Sequence, residues 1–233
     1  MSYSLPGKEL LQRQAEWLAE ARARLLRLAG IGRRRRILDL GAGYGEISSE
    51  LQRRSNGRVF SLDRSRDALR SAVTHIPAIC ADVARLPFPD AAFDLVFSQN
   101  VLLWMHSTMD VANQVFRVLH PGGVWVLFEP DYGGMIEYPL ESGTRDLWIA
   151  ALQRLGADPF AGRKLPGLLT KAGFQLRVEL LPRLHPPDPA RFDFLLELPL
   201  TSGERQRIEE IRSKTSSRDI AHLPYFLILA ERF

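Results

Sequence analysis

Between residues 6 and 30, apolar positions recur at three- and four-residue steps: Leu10, Leu11, Trp17, Leu18, Ala21, Leu25 and Leu28, with Gln14 on the same line. That spacing predicts one amphipathic helix, with arginines and glutamates between its apolar positions and Gly30 and Gly32 ending it. A different rhythm follows. Short apolar runs at 36–40, 58–63, 78–80, 93–98 and 123–129 predict strands, and helical patterns occupy 45–55, 65–73 and 108–120. Strands alternating with helices imply right-handed crossovers and a mostly parallel sheet in an α/β fold. His120-Pro121-Gly122-Gly123 is expected to stop the helix that precedes the fifth strand.

Beyond residue 130 the pattern loosens. Residues 130–140 (PDYGGMIEYPL, with Leu140) read as a loop, 141–155 as a helix, and 162–172 as a helical turn region ending at Gly173. Residues 174–184 alternate as a strand, 186–200 are interrupted by prolines, 203–213 read as a polar helix, and 223–233 as a buried last strand. The segment between those two strands, 185–222, is too long for an ordinary hairpin loop. With the helix over 6–28, it is expected to form a lid over a substrate, Trp17 and Phe192 or Phe194 supplying apolar surface; a dimer contact remote from the pocket is the alternative for the insertion.

Composition narrows the picture without deciding it. The 233 residues are 45% hydrophobic and 25% charged, ordinary for a globular enzyme and enough for one domain with a small cap. Cys80 is the only cysteine, which excludes an intramolecular disulfide and a cysteine-rich metal site; its apolar setting predicts a buried thiol. No signal peptide or membrane span is read, so the expected compartment is the reducing cytoplasm. A net charge of +4 and the run Arg33 to Arg36 invite nucleic acid as a partner. That run, however, sits at the end of the first helix, where cations cap carbonyls, and no aromatic-basic interleaving accompanies it. His75, His120, His185 and His222 have no ligand spacing, so no metal site is expected.

The chemistry concentrates after the first predicted strand. Residues 37–46 read ILDLGAGYGE, where Gly41, Gly43 and Gly45 allow a sharp turn and close approach of backbone to a ligand. A dinucleotide loop needs a GxGxxG frame, and the third position is Glu46; a phosphate-cradling GxxxxGK[ST] is absent. A carboxylate at the mouth repels pyrophosphate but suits a sulfonium and an ammonium, which points to S-adenosylmethionine. Asp63 and then Asp82 close the next two strands, the former about 20 residues past the loop, where a ribose diol binds in such units. Either acid alone is as readily a cap or turn former. Their order and spacing give the ligand reading its weight.

These stretches resemble the class I S-adenosylmethionine-dependent methyltransferases, in the pattern of the type 11 enzymes that act on quinone precursors and other small molecules. ILDLGAGYGE resembles their first motif, and the resemblance runs firmly from residue 34 to 135. It implies a Rossmann-like seven-stranded, mostly parallel sheet with one antiparallel strand, helices on both faces, and a closing hairpin. It implies one domain over 1–233: a helical cap at 1–32, a cofactor core at 34–135, and a substrate side at 136–233. It further implies that Asp39, Gly41, Ala42, Gly43 and Gly45 form the cofactor loop and that Asp63 and Arg64 lie at the ribose. Asp82 would take the adenine amine and Val83 pack on the ring, with Ser98 and Gln99 nearby. The insertion departs from the quinone-pathway enzymes.

The resemblance carries less about the acceptor. Methyl transfer needs a base only where the acceptor must lose a proton. His106 and Asp131 are the catalytic candidates, with Tyr132 beside the latter; Trp17, Trp104, Met105 and Tyr138 are candidates for an apolar pocket. The function read is methylation of a small-molecule acceptor, with a homodimer as a further partner. An RNA or protein methyltransferase, or a non-catalytic binder of the cofactor, are the alternatives.

Overall fold

A computed structural model describes residues 6–72, 75–181 and 188–233. His185, the first residues of the 185–222 insertion, and the ends of the expected helix at 65–73 and strand at 174–184 lie outside the described residues. Strands β1 (Arg36–Leu40), β2 (Arg58–Asp63), β3 (Ala78–Cys80), β4 (Phe93–Gln99) and β5 (Leu119–Pro130) are followed later by β7 (Gln175–Leu180) and β9 (Tyr225–Glu231). Among the described residues they form one seven-stranded sheet in the order β3-β2-β1-β4-β5-β9-β7. The first five run parallel, and β9 is antiparallel to both of its neighbours.

The central strands are apolar almost throughout because both faces of the sheet are covered. Period-two alternation then sorts each strand. Leu38, Val96 and Trp125 face one layer, covered by α5 (Thr108–Val118) and α7 (Ala161–Lys171). Ile37, Phe97 and Val126 face the other, covered by α2 (Ala19–Leu28) and α3 (Glu46–Arg54). Each such fully buried side chain contributes about 1.5–3 kcal/mol. On the β2 side, α4 (Arg66–Ser71) is capped by Ser65, whose hydroxyl accepts the Ala68 N–H.

A third apolar cluster lies off the sheet. It joins Tyr132, Trp148 of α6 (Arg145–Arg154), Phe192 and Phe194 of α8 (Ala190–Leu196), and Ile208 of α9 (Ser202–Lys214). The insertion therefore has its own small core.

Four expectations change. The first helix is two: α1 (Lys8–Trp17) ends at Leu18, which is buried with φ −105° and ψ 3°, and α2 begins at Ala19. The buried Arg22 guanidinium donates to Ala15 O at 2.8 Å, occupying a carbonyl in the last turn of α1 and tying the break. His120 to Gly123 is part of β5 and not a turn after a helix. Gly122 sits at φ +80° and pairs with Arg232 O, so the strand continues through an irregular register. The 130–140 loop contains β6 (Ile136–Tyr138), which pairs with β8 (Ile220–His222) from the end of the insertion. Cys80 is exposed, because β3 is the sheet's edge.

Candidate functional site

The glycine loop leaves the carboxyl end of β1, where the strand order reverses between β1 and β4, the place at which open α/β sheets bind ligands. Gly41 (φ +76°) is required twice over: its backbone is left-handed, and a Cβ there would stand 2.4 Å from Val101 Cγ2. Gly41 and Ala42 donate their N–H groups to Leu62 O, at 2.8 and 3.0 Å, which locks the loop against β2. Gly43 N–H donates to Asp63 Oδ2 at 2.8 Å, and Ser65 N–H to Asp63 Oδ1 at 2.7 Å. The buried strand-end carboxylate thus shapes the loop from behind.

Beneath the loop, Ser61 Oγ donates to Ser48 Oγ at 2.7 Å, and Ser48 Oγ to Asp39 Oδ2 at 2.5 Å. Burial pushes the Asp39 carboxyl up from 3.8 to about 7, against the Ser48 hydrogen bond, with the neighbouring Asp63 charge adding to the rise. Asp39 therefore fastens α3 to β1 under the loop.

A cavity of about 870 Å³ opens beside the loop, within the size range of small-molecule sites. Its floor is Gly41 to Tyr44, Gln99 and Asn100; its far wall is Trp104, Tyr132, Trp148 and Tyr225. Two distant segments roof it. Trp17 of α1 packs on Phe194 of α8 with ring centroids 5.4 Å apart, and its indole N–H donates to Asp188 Oδ2 at 2.6 Å. Gln12 Nε2 donates to Glu46 Oε1 at 2.7 Å, tying α1 to the mouth of the loop. Arg22 adds an anchor, pairing with Glu50 at 2.6 Å and donating to Gln99 Oε1 at 3.1 Å.

Polar groups line the cavity from several elements, among them Glu16, Glu20 and Arg24 of the N-terminal helices and Glu46 of the loop. Asn100, held at φ +58°, and Tyr225 line the cavity, as do His222 and Arg191. Burial, reinforced by the Glu129 charge, holds the Tyr225 phenol well above its ordinary range. Glu129 itself is raised to about 7 by burial, opposed by the N–H groups of Leu102, Val101 and Leu103 that it accepts. It organises the turn after β4.

Among the sequence-predicted cofactor residues, Gly41, Ala42, Gly43 and Gln99 line the cavity. Asp39, Gly45 and Asp63 support the loop: Gly45 is the N-cap of α3. Arg64 is exposed. Asp82 is exposed beyond β3, its Oδ1 accepting the Ala84 N–H at 2.8 Å, and Val83 is buried beside it. Ser98 departs from expectation: alternation along β4 turns it into the core, where it accepts the Trp125 indole N–H at 3.0 Å.

Neither catalytic candidate lines the cavity. His106 is exposed on the outer surface, and Asp131 is buried in a two-pronged ion pair with Arg163, at 2.7 Å from Nη2 and 2.8 Å from Nε. Of the pocket candidates, Trp17 and Trp104 line it, as does Tyr132, whereas Met105 packs against the sheet core and Tyr138 is exposed. Phe192 is fully buried and leaves the roof to Phe194. Sequence reasoning missed Arg191, Tyr225, Trp148 and the placement of His222, because no local spacing announces residues gathered from separate segments. Among the described residues no cluster of three metal-ligating side chains is present.

Comparison with known proteins agrees with this geometry. A family model described as a methyltransferase domain matches residues 38–127, the span from β1 into β5. The rat (Rattus norvegicus) mitochondrial arginine-hydroxylase NDUFAF5 is 33% identical over 170 residues, 69% of this chain and 48% of that protein. A malonyl-[acyl-carrier protein] O-methyltransferase from Marinomonas sp. (strain MWYL1) is 34% identical over 121 residues, 49% of this chain and 45% of that protein. The chain thus spans about half the length of these relatives. A phosphoethanolamine N-methyltransferase of Haemonchus contortus, solved with phosphomonomethylethanolamine and S-adenosylhomocysteine, superposes with a TM-score of 0.60 at 17% identity. The alignment covers 85% of this chain and 49% of that one.

Proposed function

Since this chain belongs to the class I S-adenosylmethionine-dependent methyltransferases, we infer that it moves a methyl group from S-adenosylmethionine to a small organic acceptor held in the roofed cavity. The loop fits the family's cofactor. A Cβ at Gly41 would drive into Val101, while one at Gly43 would meet nothing nearer than Leu11 Cδ1 at 4.0 Å, so the backbone there borders open space. Asp63 presents a carboxylate for a ribose diol, Asp82 one for an adenine amine, and Glu46 one for the ammonium end. The cofactor supplies an activated methyl group and its own leaving group, so the chain is left with positioning and with exclusion of water.

The residues divide those tasks. The loop, Gln99 and Asn100 hold the cofactor side. Trp104, Tyr132, Trp148 and Phe194 would enclose an apolar acceptor body, and the Trp17–Phe194 contact covers part of the mouth. His222 and Tyr225, among the titratable side chains that line the cavity, are the ones we assign to proton handling, in place of His106 and Asp131. The single observation that carries the small-molecule reading is that roof: an extended macromolecular strand would have to displace α1 from α8.

Similarity to the arginine-hydroxylase supports a second reading, in which the acceptor is arginine in another protein. One experiment separates them. The protein is incubated with methyl-labelled S-adenosylmethionine together with a panel of small aromatic and acyl compounds and, separately, with arginine-containing peptides. Label in the small-molecule fraction is expected, reduced in His222→Ala. Label confined to peptides would replace this reading with the second.

A further inference from the structure

Among the described residues Arg191 forms no ion pair, and it is the arginine whose buried guanidinium nitrogens lack a hydrogen-bond partner. Its Nε and Nη1 are buried with no hydrogen-bond partner, and it lines the roofed cavity. The three nearby carboxylates are committed elsewhere. Asp188 accepts the Trp17 indole and the Ala190 N–H. Glu137 accepts Thr144 N–H and Oγ1 and Arg145 N–H. Asp219 is taken by the Ser216 backbone and hydroxyl. The Arg191 Cζ lies over the Phe192 ring, 4.5 Å from its centroid, a cation–π contact that holds the head group in place. Guanidinium nitrogens buried without a hydrogen-bond partner are costly, and the cost is recovered when an anion arrives.

Resting on the reading of the cavity as an acceptor site, the geometry points to an acceptor that carries a carboxylate or phosphate, gripped by Arg191 while its apolar body lies against Trp104, Tyr132 and Trp148. A planar fork with parallel N–H donors matches either oxyanion. The cofactor's own carboxylate is the rival anion. The charges acting on Arg191 are Glu137 and Asp219, around the β6–β8 pair, and not those of the glycine loop.

The test uses the full chain saturated with S-adenosylhomocysteine and titrated calorimetrically with phenylacetate, phenyl phosphate and the neutral phenylacetamide. At least one anion should bind about tenfold or more tightly than the amide, and the preferred anion tells carboxylate from phosphate. Arg191→Met should abolish that preference, leave S-adenosylhomocysteine affinity unchanged, and melt at or above the parent temperature. Equal affinity for anions and amide, absence of binding by both anions, or a variant that melts lower would overturn the assignment. So would a matching loss of S-adenosylhomocysteine affinity in the variant, which would give Arg191 to the cofactor. Failure of the unaltered chain to bind S-adenosylhomocysteine would instead strike at the cofactor reading itself.

Discussion

The two sides of the cavity were built by opposite means. On the cofactor side, each element is a strand and the few residues after it: β1 with Gly41 to Gly45, β2 with Asp63, β4 with Gln99 and Asn100. On the side proposed for the acceptor, the wall comes from α1, the turn after β5, α6, α8 and the start of β9, segments separated by most of the chain. The first side is held by short-range backbone hydrogen bonds to the sheet. The second is held by side chains meeting across the mouth, Trp17 on Phe194 above all. Damage to the first should therefore remove cofactor binding and stability together, and damage to the second should spare both and affect the acceptor.

Gly41→Ala should produce the largest effect. Left-handed backbone costs an L-residue about 1–2 kcal/mol, and crowding Val101 adds a comparable amount. Stability should fall by about 2–4 kcal/mol in chemical denaturation, with S-adenosylhomocysteine affinity reduced at least about tenfold. An unchanged affinity would detach the loop from the cofactor.

Asp63→Ala comes next. Loss of a charged acceptor serving Gly43 and Ser65 costs about 1.5–3 kcal/mol, and the same carboxylate is lost to the ribose. Calorimetry should report roughly a ten- to hundred-fold weaker cofactor, and melting should drop as well, because the acid braces the loop. A large loss of stability with full affinity would make Asp63 a brace alone.

Asp39→Asn separates support from ligand. The folded carboxyl titrates near 7, above its ordinary 3.8, so the native state holds the proton more tightly than the unfolded chain. Its contribution to stability is complete below about pH 4 and lost as the pH rises towards 7. Relative to the Asn variant, the parent should therefore lose on the order of 1–3 kcal/mol across that window, read from denaturation at several pH values. A flat difference would remove the buried, protonated state of Asp39.

Trp17→Ala tests the other side and should be smallest in stability. The contact is half-exposed, so about 1 kcal/mol is expected, with cofactor affinity within about twofold of the parent. The acceptor KM should rise and hydrogen exchange in α1 and α8 should quicken. Weakened S-adenosylhomocysteine binding would instead merge the two sides into one.

Much of this was legible before the fold. Apolar runs located β1 to β4 within a residue at each end, because strands buried on both faces admit little else. The glycine spacing located the loop, since only glycine tolerates the backbone at position 41. Ser98 was misread because a strand's period of two sends alternate residues to opposite faces, and motif position does not say which. His106 and Asp131 had suitable chemistry at suitable strand ends, yet Arg163, from a helix about thirty residues away, had claimed Asp131. Similarly, the continuous helical periodicity of 6–30 concealed a break that Arg22 ties from inside.

The sequence by itself determined the parallel sheet, the glycine loop and, through the loop's residues, the class of cofactor, because those depend on local backbone conformation and on the order of strands along the chain. Only the tertiary structure decided the side proposed for the acceptor: that α1 meets α8 over the cavity, that β6 pairs with β8, and that His222, Tyr225 and Arg191 line the same cavity. The physical reason is that these contacts are between side chains far apart in sequence, whose meeting is set by packing around a shared apolar cluster, and no periodicity along the chain encodes it.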